Sequence, residues 1–303
     1  MEKSSRYVGG NKMGEILKQQ NRLLVDFGNP LVKLFLPILL QDHTTGRNII
    51  WATEPPENLT GMYSADDEIT IEKIFEVDIK PRCLKRITDQ KKRTHNKAEV
   101  FTPTWLCNKM NNNIDNEWFK KENVFNTETN KSWITNKEKI RFTKKSGSWQ
   151  DYVISTRLEV TCGEAPFLVS RYDTSSGEEI SIEDRIGFLD RKIRIFNENV
   201  KEHAEWYIWA MRAFKSVYGF EFQGDNLLLA RTNLFLTFVE YYVNRFGKEP
   251  DKILCENIAK IISTNVFQMD GLKYCIPNHP EIPCKLYDWN AEEWLYFKDM
   301  IKE

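Results

Sequence analysis

The chain has 303 residues, of which 41% are hydrophobic and 29% charged, the composition of a globular protein with enough length to bury a large core. Its 43 Lys and Arg residues nearly balance 44 Asp and Glu, giving a net charge of −1, so contact with nucleic acid or an anionic surface is left to a local patch. The longest apolar run, around Leu31 to Leu40, is broken by Lys33 and Pro37 and falls short of the about 20 residues a membrane span needs. No apolar stretch follows the charged first residues, so the expectation is a cytoplasmic protein without signal peptide or membrane contact.

In chain order, a helix-like stretch from Met13 to Asp26 comes first, then the apolar run, then a turn-rich segment from His43 to Asp67. Between Lys80 and Lys97 eight basic residues face Asp89 alone, which divides an N-terminal extension with a basic connector (1–95) from a second domain (96–303). The Asn-, Lys- and Thr-rich stretch from Asn108 to Ser148 reads as a long surface loop. Arg157 to Thr161 predicts a strand. Ser181 and Asp184 resemble a capping box opening a helix whose apolar residues Ile182, Ile186, Leu189, Ile193, Phe196 and Val200 fall at helical spacing. Further helices are predicted over 202–216, 225–245 and from Pro250 to Ile262, with strands at 218–222 and 264–269. Strands alternating with helices predict a doubly wound α/β fold with a parallel sheet.

Ligands of such sheets bind beyond the carboxyl ends of the strands. After the first strand lies the small-residue turn Thr161-Cys162-Gly163; at the second, Glu221 offers a carboxylate suited to ribose hydroxyls; after the third, Asp270 can accept from an exocyclic amine. The six cysteines are scattered without a CxxC pair, as reduced thiols. Cys275, His279 and Cys284 lie near one another, but no second ligand pair stands at zinc spacing, and prolines 277, 280 and 283 read as a rigid loop. No metal is expected.

These residues carry a resemblance. Ala98 to Pro103 resembles the G-E-x-F-T-P box of the adenine-specific DNA methyltransferases of restriction-modification systems, and Glu159 to Phe167 resembles their E-P-[ST]-[AC]-G-x-G-x-[FL] box. Tyr218 to Glu221, with Ala230 to Leu234, resembles their second motif and Val266 to Leu272 their third. The run from Lys97 to Lys273 is similar to proteins labelled restriction endonuclease subunit M. The resemblance implies a Rossmann-like domain binding S-adenosyl-L-methionine. Phe101, Thr102 and Pro103 would meet its methionine part, Glu159, Thr161 and Gly163 its amino-acid group, Glu221 its ribose and Asp270 its adenine amine. DNA would be the partner, with Lys91, Lys92 and Arg93 at its phosphates, although a solvated linker accounts for those three residues equally well.

Departures from the family pattern are also present. Val160 replaces a proline and Ala165 a glycine, and 58 residues separate Gly163 from Glu221. The family's [DNS]-P-P-[FYW] box, which binds the flipped target base, does not occur in the 33 residues after Asp270. The one Pro-Pro pair, in Glu54-Pro55-Pro56-Glu57, follows the strand-like Asn48 to Ala52, as in a permuted enzyme, but Glu57 stands where the aromatic belongs. Two classes remain: a methyltransferase, or a non-catalytic cofactor- or DNA-binding subunit. The sheet edge left beyond Asp270 calls either for cover by the tail, with Lys285 to Trp289 as a fourth strand, or for a second chain, another copy or a partner subunit.

Overall fold

A computed structural model describes residues 24–300 apart from 86, 89 and 92–101. Most of the predicted first helix, Phe101 with the start of its box, Lys92 and Arg93 lie outside the described residues. Helix α1 (Pro30–Leu39) begins where the Asn29 side chain accepts the Leu31 amide at 2.9 Å, and α2 (Ile71–Val77) begins where Thr70 accepts that of Lys73 at 3.3 Å. Between them 48–52 runs extended, held by isolated bridges to Gln41 and Glu68.

The stretch 108–148 is not the expected loop. It holds most of helix α3 (Thr104–Phe119) and the hairpin of β1 (Asn126–Thr129) with β2 (Ser132–Thr135), and α4 (Trp149–Ile154) follows it. The inward stripe of α3 is polar: Asn108, Asn111, Asn112 and Asp115 are buried at helical spacing. The Arg191 guanidinium donates to Asp115 at 2.5 Å, Asn108 at 2.9 Å and Asn112 at 2.8 Å, which satisfies groups that would otherwise be costly to bury.

Strand β3 (Arg157–Glu159) is followed by a long connection to α5 (Phe188–Asn199). The expected helix from Ser181 breaks in two, because Ile182–Asp184 is only a 3-10 turn and Gly187 caps the true helix. A Cβ at Gly187 would stand 2.3 Å from the Leu168 carbonyl oxygen, so the chain passes too close there for any side chain. Then come α6 (His203–Lys215), β4 (Val217–Glu221), α7 (Gly224–Phe246), α8 (Lys252–Asn265) and β5 (Val266–Gln268), each within a few residues of its predicted place.

Strands β3, β4 and β5 form a parallel sheet in that order, with Glu159 beside Gly219 and Glu221 beside Gln268. The protein is thus mixed α/β. Val217 and Val266 face the main core with side chains of α5 to α8, and Leu24 to Ile79 contribute to the same core. On the opposite face Phe220 and Phe267 pack against Ile50, Leu286 and Phe297. That face is covered by the chain's tail rather than by the second helical layer of a doubly wound sheet. The tail comprises β6 (Cys275–Ile276) paired with β7 (His279–Pro283), β8 (Lys285–Asp288) paired with β9 (Glu293–Tyr296), and the short helix α9 (Phe297–Met300). The expected fourth strand therefore forms, but pairs with β9 instead of extending the parallel sheet. Among the described residues no helix is long and apolar enough to cross a membrane.

Candidate functional site

Three strand ends meet at one rim of the parallel sheet. Beyond Glu159 the chain turns through Thr161 (φ 49°), Gly163 (φ 53°) and Ala165 (φ 64°), and two of these three left-handed residues carry side chains. Such conformations cost on the order of 1 kcal/mol or more each and persist only where neighbours enforce them. Here the enforcing bonds are explicit. The Cys162 amide donates to the Phe220 carbonyl at 2.8 Å, and the Ala165 amide to that of Cys162 at 2.7 Å. Glu159 folds back to accept the amides of Phe167 at 3.3 Å and Leu168 at 3.1 Å.

Glu221 closes the other side. Its carboxylate accepts the Gly163 amide at 2.8 Å and the Gln223 amide at 3.1 Å, and its carbonyl accepts the Met269 amide at 3.0 Å, so the ends of β3, β4 and β5 are joined through one residue. Both carboxylates are buried, and their hydrogen-bond partners are backbone amides. Burial, reinforced by the Glu221 charge, pushes Glu159 up to about 8. Burial also raises Glu221, against the pull of the Gln223 and Gly163 amides.

Asp270 stands at the third strand end, where its side chain accepts the amides of Leu272 at 2.9 Å and Lys273 at 3.2 Å in a tight turn. Asp225, in the first turn of α7, pairs with Lys85 at 3.4 Å. Thr102 and Pro103 lead into α3, and the Thr102 carbonyl accepts from the Thr174 hydroxyl at 3.1 Å. One turn on, Cys107 is raised by burial first and then by the charges of Glu159 and Asp173, which puts this segment in electrostatic reach of the Glu159 turn. Thr161 is exposed and its hydroxyl donates to the adjacent Val160 carbonyl. The rim thus gathers Glu159, Gly163 and Glu221 tightly, with Asp270 one strand further on. In the basic tract, Lys80 pairs with Asp78, and Lys91 is exposed.

Other sequence candidates have structural employment. Phe297 packs on Phe220 and Phe267, Trp294 stacks on His43, and the Trp289 indole donates to Asn265. Cys284 donates to the Gln268 carbonyl, and no group of three or more His, Cys, Asp or Glu among the described residues is arranged to hold a metal ion. The Pro55-Pro56 pair leads into the 3-10 turn Glu57–Leu59, not out of a strand of the parallel sheet. Sequence reasoning missed the Asn108–Asp115 stripe and its partner Arg191. Its signal was a helical period carried by polar rather than apolar side chains. Compared with family models, curated proteins and solved structures, the chain matches none.

Proposed function

We propose that the chain is a shortened Rossmann-like domain that binds S-adenosyl-L-methionine across its three strand ends. In this reading it serves adenine-specific DNA methylation in a restriction-modification or phage-defence system. The observation that carries the reading is the succession of Gly163, Glu221 and Asp270 on adjacent parallel strands, the first two joined by a 2.8 Å hydrogen bond. The donor chemistry fits. Two buried carboxylates whose bonded partners are amides favour a cationic guest, since a nearby positive charge stabilises their ionised forms.

Phe101, Thr102 and Pro103 would meet the methionine part, Glu159, Thr161 and Gly163 the amino-acid group, Glu221 the ribose and Asp270 the adenine amine. When bound, the cofactor supplies a methyl group on a sulfonium for direct displacement by the target amine. The protein's own share is to hold and orient that group, an effect worth several kcal/mol when geometry is good. Lys91, Lys92 and Arg93 would meet DNA phosphates.

Among the described residues the parallel sheet has three strands, and none leads into a Pro-Pro box. This favours the subunit reading, in which a partner chain supplies the groups that grip the target base. Isothermal titration with S-adenosyl-L-methionine tests the cofactor, and a radiolabelled methyl-transfer assay on mixed DNA tests the chemistry. Binding without transfer is the expected result, and failure to bind at millimolar cofactor overturns the proposal.

A further inference from the structure

A cavity of about 450 Å³ lies between α5, the end of α7, the β1–β2 hairpin and the Ile182–Asp184 turn. Three of its lining residues carry a buried polar atom without a hydrogen-bond partner: Arg185 Nη1, Arg191 Nε and Asp190 Oδ1. The Arg185 side chain is 6% exposed and that of Arg191 2%, so bulk water does not satisfy them. Such orphans are rare in folded proteins and call for an explanation.

Charge is not what the cavity lacks. Arg185 pairs with Glu240 and Arg191 with Asp115. What remains open is directional bonding capacity, two guanidinium donors and one carboxylate acceptor. The Tyr241 hydroxyl lies near Asp190 but donates to the Ile182 carbonyl at 3.4 Å. A simple anion satisfies the donors and meets the Asp190 oxygen with like charge, and a simple cation does the reverse. A molecule with a carboxylate beside an ammonium satisfies both. The apolar part of such a molecule would meet Phe125, Ile182 and Tyr241, which also line the cavity. Its volume far exceeds the roughly 30 Å³ share of one water and falls within the roughly 300–1,000 Å³ typical of small-molecule sites.

We propose that this cavity is a binding site for a free α-amino acid with an apolar side chain, separate from the strand-end rim. Arg185 and Arg191 receive the carboxylate, Asp190 receives the ammonium, and the side chain lies against Phe125 and Tyr241. Titration calorimetry with L-phenylalanine, N-acetyl-L-phenylalanine and L-phenylalanine amide tests it, the last two lacking the ammonium and the carboxylate. L-phenylalanine should bind with a dissociation constant of about 5 mM or tighter, and each derivative about tenfold more weakly. Two obstructing variants from opposite walls, Ile182→Trp and Thr135→Trp, check the location, and whichever folds should lose the binding. Absence of binding by L-phenylalanine, equal affinity for all three compounds, or undiminished binding by a folded obstructed variant would overturn the assignment. Should both variants misfold, Arg245→Gln decides: its residue also lines the cavity, so the change should weaken L-phenylalanine binding, and unchanged affinity again rejects the site.

Discussion

The amide of Gly163 donates to Glu221 Oε2 at 2.8 Å across the ends of β3 and β4. One carboxylate therefore both shapes the turn and stands where a ligand's hydroxyls would arrive. Replacing Glu221 with Ala should weaken S-adenosyl-L-methionine binding at least about tenfold and cost about 1–3 kcal/mol of stability, because the Gly163 and Gln223 amides lose their acceptor. Glu221→Gln keeps one acceptor oxygen and should recover part of the stability but little of the affinity. Calorimetric titration alongside urea denaturation separates the two effects, and unchanged affinity in a folded Glu221→Ala protein refutes the ribose role.

Acidity supplies a second expectation. Burial holds Glu159 near a pKa of about 8, against 4.5 ordinarily. Between those values the folded chain keeps a proton that the unfolded chain has released. Stability should therefore be fully present below the lower value, fall as pH rises through the window, and stop falling above about 8. The slope contributed is at most about 1.4 kcal/mol per pH unit. Glu159→Gln should flatten the decline in urea melts between pH 5 and 8, and a wild-type curve that instead rises across this window contradicts the raised value.

The Arg191–Asp115 pair, each side chain 2% exposed, gives a third. Arg191→Met strands a buried carboxylate and should cost about 3–5 kcal/mol, whereas the double change Arg191→Met with Asp115→Leu should recover much of that loss. Chemical denaturation of the single and double variants measures it. A double variant no better than the single one would show that the asparagines, rather than the ion pair, set the energetics.

For DNA, the exposed Lys91 with Lys92 and Arg93 should help to neutralise the phosphates. Removing all three charges should reduce the log–log salt dependence of duplex binding by about 0.9 for each phosphate no longer neutralised. An unchanged slope in fluorescence anisotropy assigns the tract to a connector.

The parts of this fold that were legible in the sequence are those built on apolar periodicity. The helices at 203–215, 224–246 and 252–265, and the three parallel strands, bury apolar faces, so their period was visible. The helix at 104–119 was hidden because its buried stripe is Asn108, Asn111, Asn112 and Asp115, residues whose usual home is the turn. Only a distant arginine, Arg191, makes that stripe tolerable, and a pairing across 76 residues leaves no local trace. Ser181 and Asp184 do bond through their side chains at 2.8 Å, as the capping pattern suggests, yet the helix proper waits for Gly187. The strand-end residues were found from position alone, while the bonds that tie Glu159 and Glu221 into the turn depend on loop geometry that no spacing rule conveys.

The extended segment at 48–52 is fastened to the sheet by the Gln268 side chain. It accepts the Ile50 amide at 2.9 Å and donates to the Ile50 carbonyl at 2.7 Å, across a separation of 218 residues. On a ribosome adding about 5–20 residues per second, Ile50 waits roughly ten to forty seconds before its partner is even made. Throughout that interval Ile49, Ile50 and Trp51, all buried in the finished protein, have no sheet to pack upon. The newborn chain thus presents an apolar segment to chaperones for most of its synthesis, and its amino-terminal part becomes native only when the last strand of the parallel sheet arrives.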